Sequence, residues 1–272
     1  MQYAPMGSLR QNIRKVANIE WKEKLELLSY IALDLKVMHS HGIIHRDLHS
    51  GNILQNQLYN AYIGDLGLAE TVNKALAKSN GIYGIFPYIA PEVLRSRGYI
   101  PASDVYSFGI IMWEVSSGRL AFSDKNHDFC FLTEVCNGLR PTVAKDMPQY
   151  YVDLMKRCWD NDPEKRLMAS EIYEVINSWK NNHEILLKFD KFEAILEETE
   201  LMHPQAVYTS RFISLKELVT INSQAVCTNG MINDDNKIIE SQEDNIPIDH
   251  MNKLMLEIEK DKTASVRLSL CE

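Results

Sequence analysis

The sequence lacks the features that mark disulfide-rich, zinc-binding and membrane-spanning proteins. Its cysteines are scattered without a C-x-x-C pair, which favours reduced thiols over a disulfide framework or a zinc site. The longest strongly apolar run, residues 108–115, is too short to cross a bilayer. Residues 1–9 have no basic stretch followed by an apolar core, as a signal peptide would. We therefore expect a soluble, intracellular protein of the cytoplasm. The five cysteines are Cys130, Cys136, Cys158, Cys227 and Cys271.

An excess of positive charge is also missing. The 272 residues include 29 basic and 37 acidic side chains, which gives a net charge of −8. Such a balance argues against a nucleic acid or an anionic membrane as a partner. The hydrophobic and charged fractions, 45% and 24%, are ordinary for globular proteins, and no repeat of the solenoid type is visible. The length allows one large domain with an appendage, or two modest domains.

The chemically richest stretch is residues 45–52, His-Arg-Asp-Leu-His-Ser-Gly-Asn. It combines a potential proton acceptor, two potential cation ligands and a basic anchor within eight residues. Asp and Asn in a polar run are also common turn residues, so the stretch by itself leaves a purely structural turn open. The choice depends on which segments accompany it along the chain.

Apolar periodicity predicts the helices around this stretch. Residues 25–38 carry one apolar helical face, and Gly42 is suited to end that helix. Residues 103–114 are apolar on nearly every face, which predicts a helix buried inside a domain. A closing helix is predicted over 169–180, and an amphipathic helix over 185–196.

The stretch at 45–52 resembles the catalytic loop of eukaryotic protein kinases, H-R-D-L-x-x-x-N. Further segments match motifs of that family in order and at family-like spacing, which makes the resemblance specific. It covers residues 1–182 and is strongest to the tyrosine-kinase-like group. The matching segments are a hinge-like stretch at 3–9, Asp65-Leu66-Gly67 for D-F-G, Ala90-Pro91-Glu92 for A-P-E, the buried helix at 103–114, and 158–167 for the last signature.

The resemblance implies an α+β, protein kinase-like fold, with a mostly α-helical C-terminal lobe and short β-hairpins over residues 1–182. Residues 183–272 are expected to form a C-terminal tail, partly helical and partly disordered. The tail has an acidic run at 234–249 and a stretch at 251–258 that is either a short helix or irregular. The activity implied is ATP-dependent phosphorylation of serine, threonine or tyrosine hydroxyls in a protein substrate, as part of signal transduction.

The resemblance also assigns roles to residues of the catalytic loop and the Asp-Leu-Gly motif. Asp47 is the expected catalytic base, and it belongs to a motif that begins at His45. Arg46 is the expected anchor for a phosphate on the activation loop. Asn52 and Asp65 are the expected ligands of Mg²⁺, which prefers hard oxygen donors.

Three further residues are implied to hold the lobe together. Glu92 and Arg166 are expected to form a buried bidentate ion pair that ties the activation segment to the lobe. Asp104 is expected to brace the catalytic loop from below.

The candidate phosphate acceptors on the activation loop are Thr71, Ser79 and Tyr83.

The hinge-like start of the chain bears on nucleotide binding. Tyr3 and Ala4 are expected to face the adenine ring of ATP, with Leu54 as its apolar floor and Met1 at the gatekeeper position. The sequence has no G-x-G-x-x-G stretch, no strand lysine and no partner glutamate. We therefore expect the chain on its own to be a very weak kinase. We also expect an exposed apolar surface beside Leu54 and Leu66 that promotes association.

Three functional hypotheses follow. The first is a protein kinase, present here as its C-terminal lobe, and the intact motifs favour it. His49 stands where most serine/threonine kinases carry a lysine, which leaves the hydroxyl specificity open. The second is a catalytically weak, pseudokinase-like binding module, which a lack of ATP binding would support. The third is a small-molecule phosphotransferase with an H-G-D-L-H-x-x-N loop, from which Arg46, the A-P-E match and the helix of Asp104 point away.

Overall fold

The structure of the protein is a computed structural model, and it describes residues 4–72, 81–192, 202–214 and 216–217. The predicted acidic run and the stretch at 251–258 lie outside the described residues, as does Ser79.

Helices dominate this part of the chain and are confirmed where periodicity predicted them, over 25–38, 103–114 and 169–180. The first of these ends before Gly42, which has a φ of +68°, a conformation that glycine adopts without strain. None of the described helices has the length and apolar content needed to cross a membrane. The helices are α1 (Leu9–Ala17), α2 (Trp21–Ser40), α3 (Pro91–Leu94), α4 (Pro101–Ser117), α5 (Phe129–Cys136), α6 (Gln149–Cys158), α7 (Ala169–Lys180) and α8 (His183–Phe189).

The strands are short and form three antiparallel pairs in the described residues. This mixture of many helices and small sheets agrees with the expected α+β architecture. Short 3₁₀ turns lie at Leu66–Leu68, Phe86–Tyr88 and Pro163–Lys165. The pairs are β1 (Ile43–Ile44) with β4 (Glu70–Thr71), β2 (Ile53–Gln57) with β3 (Asn60–Ile63), and β5 (Gly81–Gly84) with β6 (Arg211–Ser214).

Helix α4 lies at the centre of the lobe. Every residue from Ser103 to Ser116 is buried, because α1, α2, α6, β1 and the 3₁₀ turn at Phe86–Tyr88 all pack against it. Its apolar surface therefore lies in the core on every side, as expected for a helix without a polar face. The loop at residues 45–52 and the segment at 85–92 both bond to this one rigid element.

Residues beyond 182 pack into the same core. Phe189 of α8 is fully buried, with its ring centroid 4.7 Å from that of Trp21 in α2. The indole N–H of Trp21 donates to the carbonyl of Phe192 at 3.1 Å. The helix predicted over 185–196 is shorter than its apolar pattern indicated and ends at Phe189. All described residues, including 183–192 and 202–217, fall within one compact unit.

A buried ion pair joins the start of α3 to the segment before α7. The guanidinium of Arg166 donates to both carboxylate oxygens of Glu92, each at 2.8 Å. Its remaining donors bond the carbonyls of Ala102 and Asp160, each at 2.8 Å. Ser103 Oγ also donates to Glu92, at 2.8 Å. Because every charge is hydrogen-bonded, removal of one partner leaves an uncompensated buried charge on the other.

We predict that Arg166→Ala lowers the free energy of unfolding by about 3–5 kcal/mol, the usual effect of breaking a buried pair. The measurement is urea unfolding followed by circular dichroism. Lys165→Ala is the matched control. Lys165 is exposed, and its ion pair with Asp162 is long, at 3.9 Å, so its loss should change stability by less than about 0.5 kcal/mol. Equal effects of the two substitutions would contradict the role of the pair.

Candidate active site

The loop at residues 45–52 is held from below by one carboxylate. Asp104 of α4, which is almost fully buried, accepts the backbone N–H groups of His45 at 2.8 Å and of Arg46 at 3.0 Å. His39, at the end of α2, contacts the same carboxylate through Nε2 at 2.9 Å. Arg46 has a φ of +72°, a strained conformation for a side chain that is not glycine. The two bonds to Asp104 stabilise the loop in this conformation.

His45 connects this loop to the strand that leads to Asp65. Its ring is fully buried; Nε2 lies 3.0 Å from the carbonyl oxygen of Gly64, and Nδ1 accepts the backbone N–H of Asp47 at 3.3 Å. The hydrogen bonds therefore assign the proton to Nε2. In this position His45 aligns Asp47 with Asp65.

Asp47 is nearly buried and has two close polar neighbours. Its Oδ2 accepts the hydroxyl of Ser210 at 2.6 Å and lies 3.6 Å from Nε2 of His49. Burial by itself would raise the pKa of Asp47, but His49 and the Ser210 hydroxyl outweigh it and leave the pKa below the ordinary value. Asp47 is therefore ionised at neutral pH and can accept a proton from a hydroxyl that bonds to it.

His49 occupies the position where the resemblance expected a lysine. Its Nδ1 accepts the backbone N–H of Asn52 at 3.1 Å and lies 3.2 Å from Nη2 of Arg10. Burial, partly opposed by Asp47, lowers the pKa of His49 below its usual value. The ring is therefore neutral at physiological pH. The cation that contacts His49 is the guanidinium of Arg10 in α1, which the sequence did not single out.

Asn52 and Asp65 present oxygen atoms to the same open cleft as Asp47. The side-chain amide of Asn52 donates to the carbonyl of Asp47 at 2.9 Å, which leaves its Oδ1 as the acceptor for a cation. Asp65 is exposed, has a φ of +53°, and accepts the N–H of Gly67 at 3.3 Å. The cleft has a volume of about 430 Å³, and all three residues line it. One carboxylate and one amide oxygen in a wet cleft fit Mg²⁺, which retains several water ligands.

The hinge-like segment runs beside β2. The N–H of Met6 bonds the carbonyl of Gln55 at 3.1 Å, and the N–H of Gln55 bonds the carbonyl of Gly7 at 2.9 Å. Ala4 and Leu54 are both half-buried, whereas Tyr3 lies outside the described residues. Leu54 and Leu66 are both half-buried, so part of each side chain is exposed; association through this surface stays a prediction.

The activation-loop candidates differ in accessibility. Thr71 lies in β4, and its buried Oγ1 has no hydrogen-bond partner within the described ranges. Tyr83 lies in β5 and is 49% exposed. Arg46, the expected phosphate anchor, pairs with Glu70 and lies over the ring of Tyr99 at 4.8 Å. Of the described candidates, Tyr83 therefore presents the accessible hydroxyl.

A buried series of hydrogen bonds links the loop at residues 45–52 to α4. Ser50 Oγ lies 2.9 Å from the hydroxyl of Tyr88, which donates to Glu114 at 2.7 Å. Glu114 also accepts the N–H of Ala121 at 3.0 Å, and burial raises its pKa. Glu114, a charged residue within a mostly apolar helix, was the one sequence signal that could have predicted this series of hydrogen bonds.

Comparisons with known proteins find similarity over about two thirds of the chain. The model of the family described as protein tyrosine and serine/threonine kinase matches residues 1–176. A probable LIM domain-containing serine/threonine-protein kinase of Dictyostelium discoideum is 33% identical over 186 residues, which are 68% of the chain. A putative serine/threonine-protein kinase/receptor of Acanthamoeba polyphaga mimivirus is 35% identical over 176 residues, or 63% of the chain. A serine/threonine/tyrosine-protein kinase of Arabidopsis thaliana is 29% identical over 182 residues, or 65%.

The chain spans less than half the length of these relatives. The matched region is 28% of the Dictyostelium protein, 10% of the mimivirus protein and 46% of the Arabidopsis protein. The similarity therefore concerns only part of each relative's length.

We predict that Asp104→Asn lowers the free energy of unfolding by about 1–3 kcal/mol, because one buried backbone N–H then faces an amide donor and has no acceptor. Hydrogen exchange should show faster exchange of the His45 and Arg46 amides, with urea unfolding as the global measure. Asp153→Asn, on the exposed face of α6, is the control of the same chemistry. Unchanged exchange at both amides would show that Asp104 does not hold the loop.

Proposed function

The chain belongs to the protein tyrosine and serine/threonine kinase family, and on that premise we propose that it transfers a phosphoryl group from ATP to serine or threonine hydroxyls of proteins. Residues 1–182 would act as the hinge and C-terminal lobe of a kinase domain of the tyrosine-kinase-like group. One observation carries the proposal. A serine hydroxyl lies 2.6 Å from the carboxylate of Asp47, in the cleft that Asn52 and Asp65 also line.

Each residue then has one task. Asp47 accepts the proton of the acceptor hydroxyl and orients that oxygen. Asn52 Oδ1 and the carboxylate of Asp65 would hold Mg²⁺, which would neutralise charge on the phosphate oxygens. Ala4 and Leu54 would contact the adenine ring. Arg10 adds a fixed positive charge beside His49 at the edge of the cleft.

The edge of β5 supports a polypeptide rather than a small molecule as the acceptor. All four residues of β5 pair with an extended strand, β6, so this edge presents the backbone groups that an extended peptide needs. A small-molecule phosphotransferase needs no such edge. The catalytically weak binding module remains the second candidate, because an occupied peptide edge also suits a module that only binds partners.

We predict that Asp47→Asn reduces phosphoryl transfer by about 10²–10⁴-fold, the usual contribution of a positioned general base. The assay is incorporation of phosphate from Mg-ATP into casein by the full chain. Asp153→Asn on α6 should retain the wild-type rate, and thermal unfolding should show that Asp47→Asn is folded. A wild-type chain that binds Mg-ATP but transfers no phosphate would favour the binding module.

We predict that Asp65→Asn weakens binding of Mg-ATP by at least about tenfold, since loss of an outer-shell partner alone costs about 10–100-fold in metal affinity. Titration calorimetry of the full chain with ATP measures this directly. The difference between variant and wild type should disappear in EDTA, because the carboxylate acts through the cation. A difference that persists without Mg²⁺ would place Asp65 on the nucleotide itself.

A further inference from the structure

Residues 205–214 of the chain lie across the candidate active site. The segment runs past the catalytic loop, and it continues as β6 along the activation-segment strand β5. It contacts α1, the loop at residues 45–52, β5, Phe86 and the residues before α5.

The β6 strand completes an antiparallel ladder with β5. Gly81 lies opposite Ser214, and Gly84 lies opposite Arg211. A Cβ atom at Gly81 would be only 2.2 Å from the carbonyl oxygen of Ile213, so β6 approaches this position as closely as glycine allows. The rings of Tyr83 and Phe212 lie with their centroids 5.0 Å apart on the ladder.

Side chains on either side of Ser210 anchor the segment in the lobe. On the N-terminal side, Tyr208 is nearly buried and donates its hydroxyl to the carbonyl of Ala121 at 2.8 Å; Arg10 donates to the carbonyl of Tyr208. On the C-terminal side, Arg211 lies over the ring of Phe86 at 3.5 Å and donates to the carbonyl of His127. The hydroxyl of Ser210, between Tyr208 and Arg211, therefore has a defined position.

That position is the one a phosphate acceptor needs. Ser210 Oγ donates to Asp47 Oδ2 at 2.6 Å, and Ser210 itself is exposed on the cleft that Asn52 and Asp65 line. A general base must lie within about 2.6–3.2 Å of the oxygen whose proton it takes. The hydroxyl oxygen, the base and both candidate metal ligands therefore share one open space.

We propose that Ser210 is a phosphoacceptor of the chain's own active site, and that residues 205–214 occupy the groove for protein substrates until Ser210 is phosphorylated. The proposal rests on the proposed kinase function. Ser210 Oγ forms a bond to the γ-phosphorus of ATP while the bond from that phosphorus to the β–γ bridging oxygen breaks. The hydroxyl proton passes to Asp47, and ADP is the leaving group.

Phosphorylation would also release the segment. A phosphoserine carries a charge of about −1.5 to −2 at neutral pH, and at position 210 it would lie against the carboxylate of Asp47. The hydrogen bond that joins the two residues is lost and replaced by repulsion between like charges. Arg10 is already engaged by the carbonyl of Tyr208 and by His49. The groove then becomes accessible to other polypeptides.

Two substitutions of the same size test the occupancy without nucleotide. Ser210→Asp places a carboxylate against Asp47, whereas Ser210→Asn retains a donor. Hydrogen exchange of the full chain should be about tenfold or more faster in β5 and β6 for Ser210→Asp, because a bond to a charged group is lost. Ser210→Asn should retain wild-type protection. Equal exchange in the two variants would overturn the proposal.

A second substitution perturbs the segment without contact to Asp47. Gly81→Ala places a methyl group against the β6 backbone, so it should raise exchange in β6 while the amides of α4 remain protected. Retained protection of β6 in this variant would contradict the ladder that holds Ser210 in place.

Phosphate mapping by mass spectrometry tests the acceptor role. The full chain is incubated with Mg-ATP and casein; phosphate should appear on Ser210 at a rate independent of protein concentration, and Asp47→Asn should abolish it. Phosphate on casein but not on Ser210 would overturn the acceptor role and leave the kinase function intact. Phosphate on neither casein nor Ser210 would overturn both the kinase function and the acceptor role. The hydrogen-exchange data would then still decide whether residues 205–214 occupy the groove.

Discussion

The bonds from the Asp104 carboxylate to two backbone N–H groups are the constraint on which the site depends. A loop with a positive φ at Arg46 and a nearly buried charge at Asp47 is unstable by itself. Asp104 compensates for this strain, because it comes from a buried helix and accepts both backbone N–H groups. The loop that carries the proposed catalytic residue Asp47 is therefore held by the buried helix α4, which limits its motion.

The same helix braces the other loops with the few polar side chains that it carries. Ser103 bonds Glu92, Ser107 donates to the carbonyl of Tyr88 at 2.8 Å, and Glu114 accepts the hydroxyl of Tyr88. These hydrogen bonds compensate for the burial of the polar groups that make them, although Oε2 of Glu114 has no hydrogen-bond partner among the described residues. Helix α4 thus packs in the core, and its polar side chains also hold the loop at residues 45–52 and the segment at 85–92 in place.

The groove beside this frame accepts an extended strand, and in this chain the strand is the protein's own. Backbone pairing with β5 supplies much of the contact, while Tyr208 and Arg211 set the register of the segment. A surface that binds a strand in this way is open to competition between the chain and other polypeptides. In the regulation that we propose, the charge on Ser210, next to Asp47, decides which of them occupies the groove.

The sequence by itself determined the helices with strong periodicity, the motif residues Asp47, Asn52 and Asp65, and the family. Local patterns carry that information, because helical faces and motif spacings involve neighbours in the chain. It did not reveal Arg10, the series of hydrogen bonds through Glu114, or Ser210, which lies 163 positions from Asp47. It also did not reveal that Phe189, beyond the family-like region, packs in the core. Only tertiary structure decides such contacts, because they depend on how distant segments pack together rather than on any property of either segment.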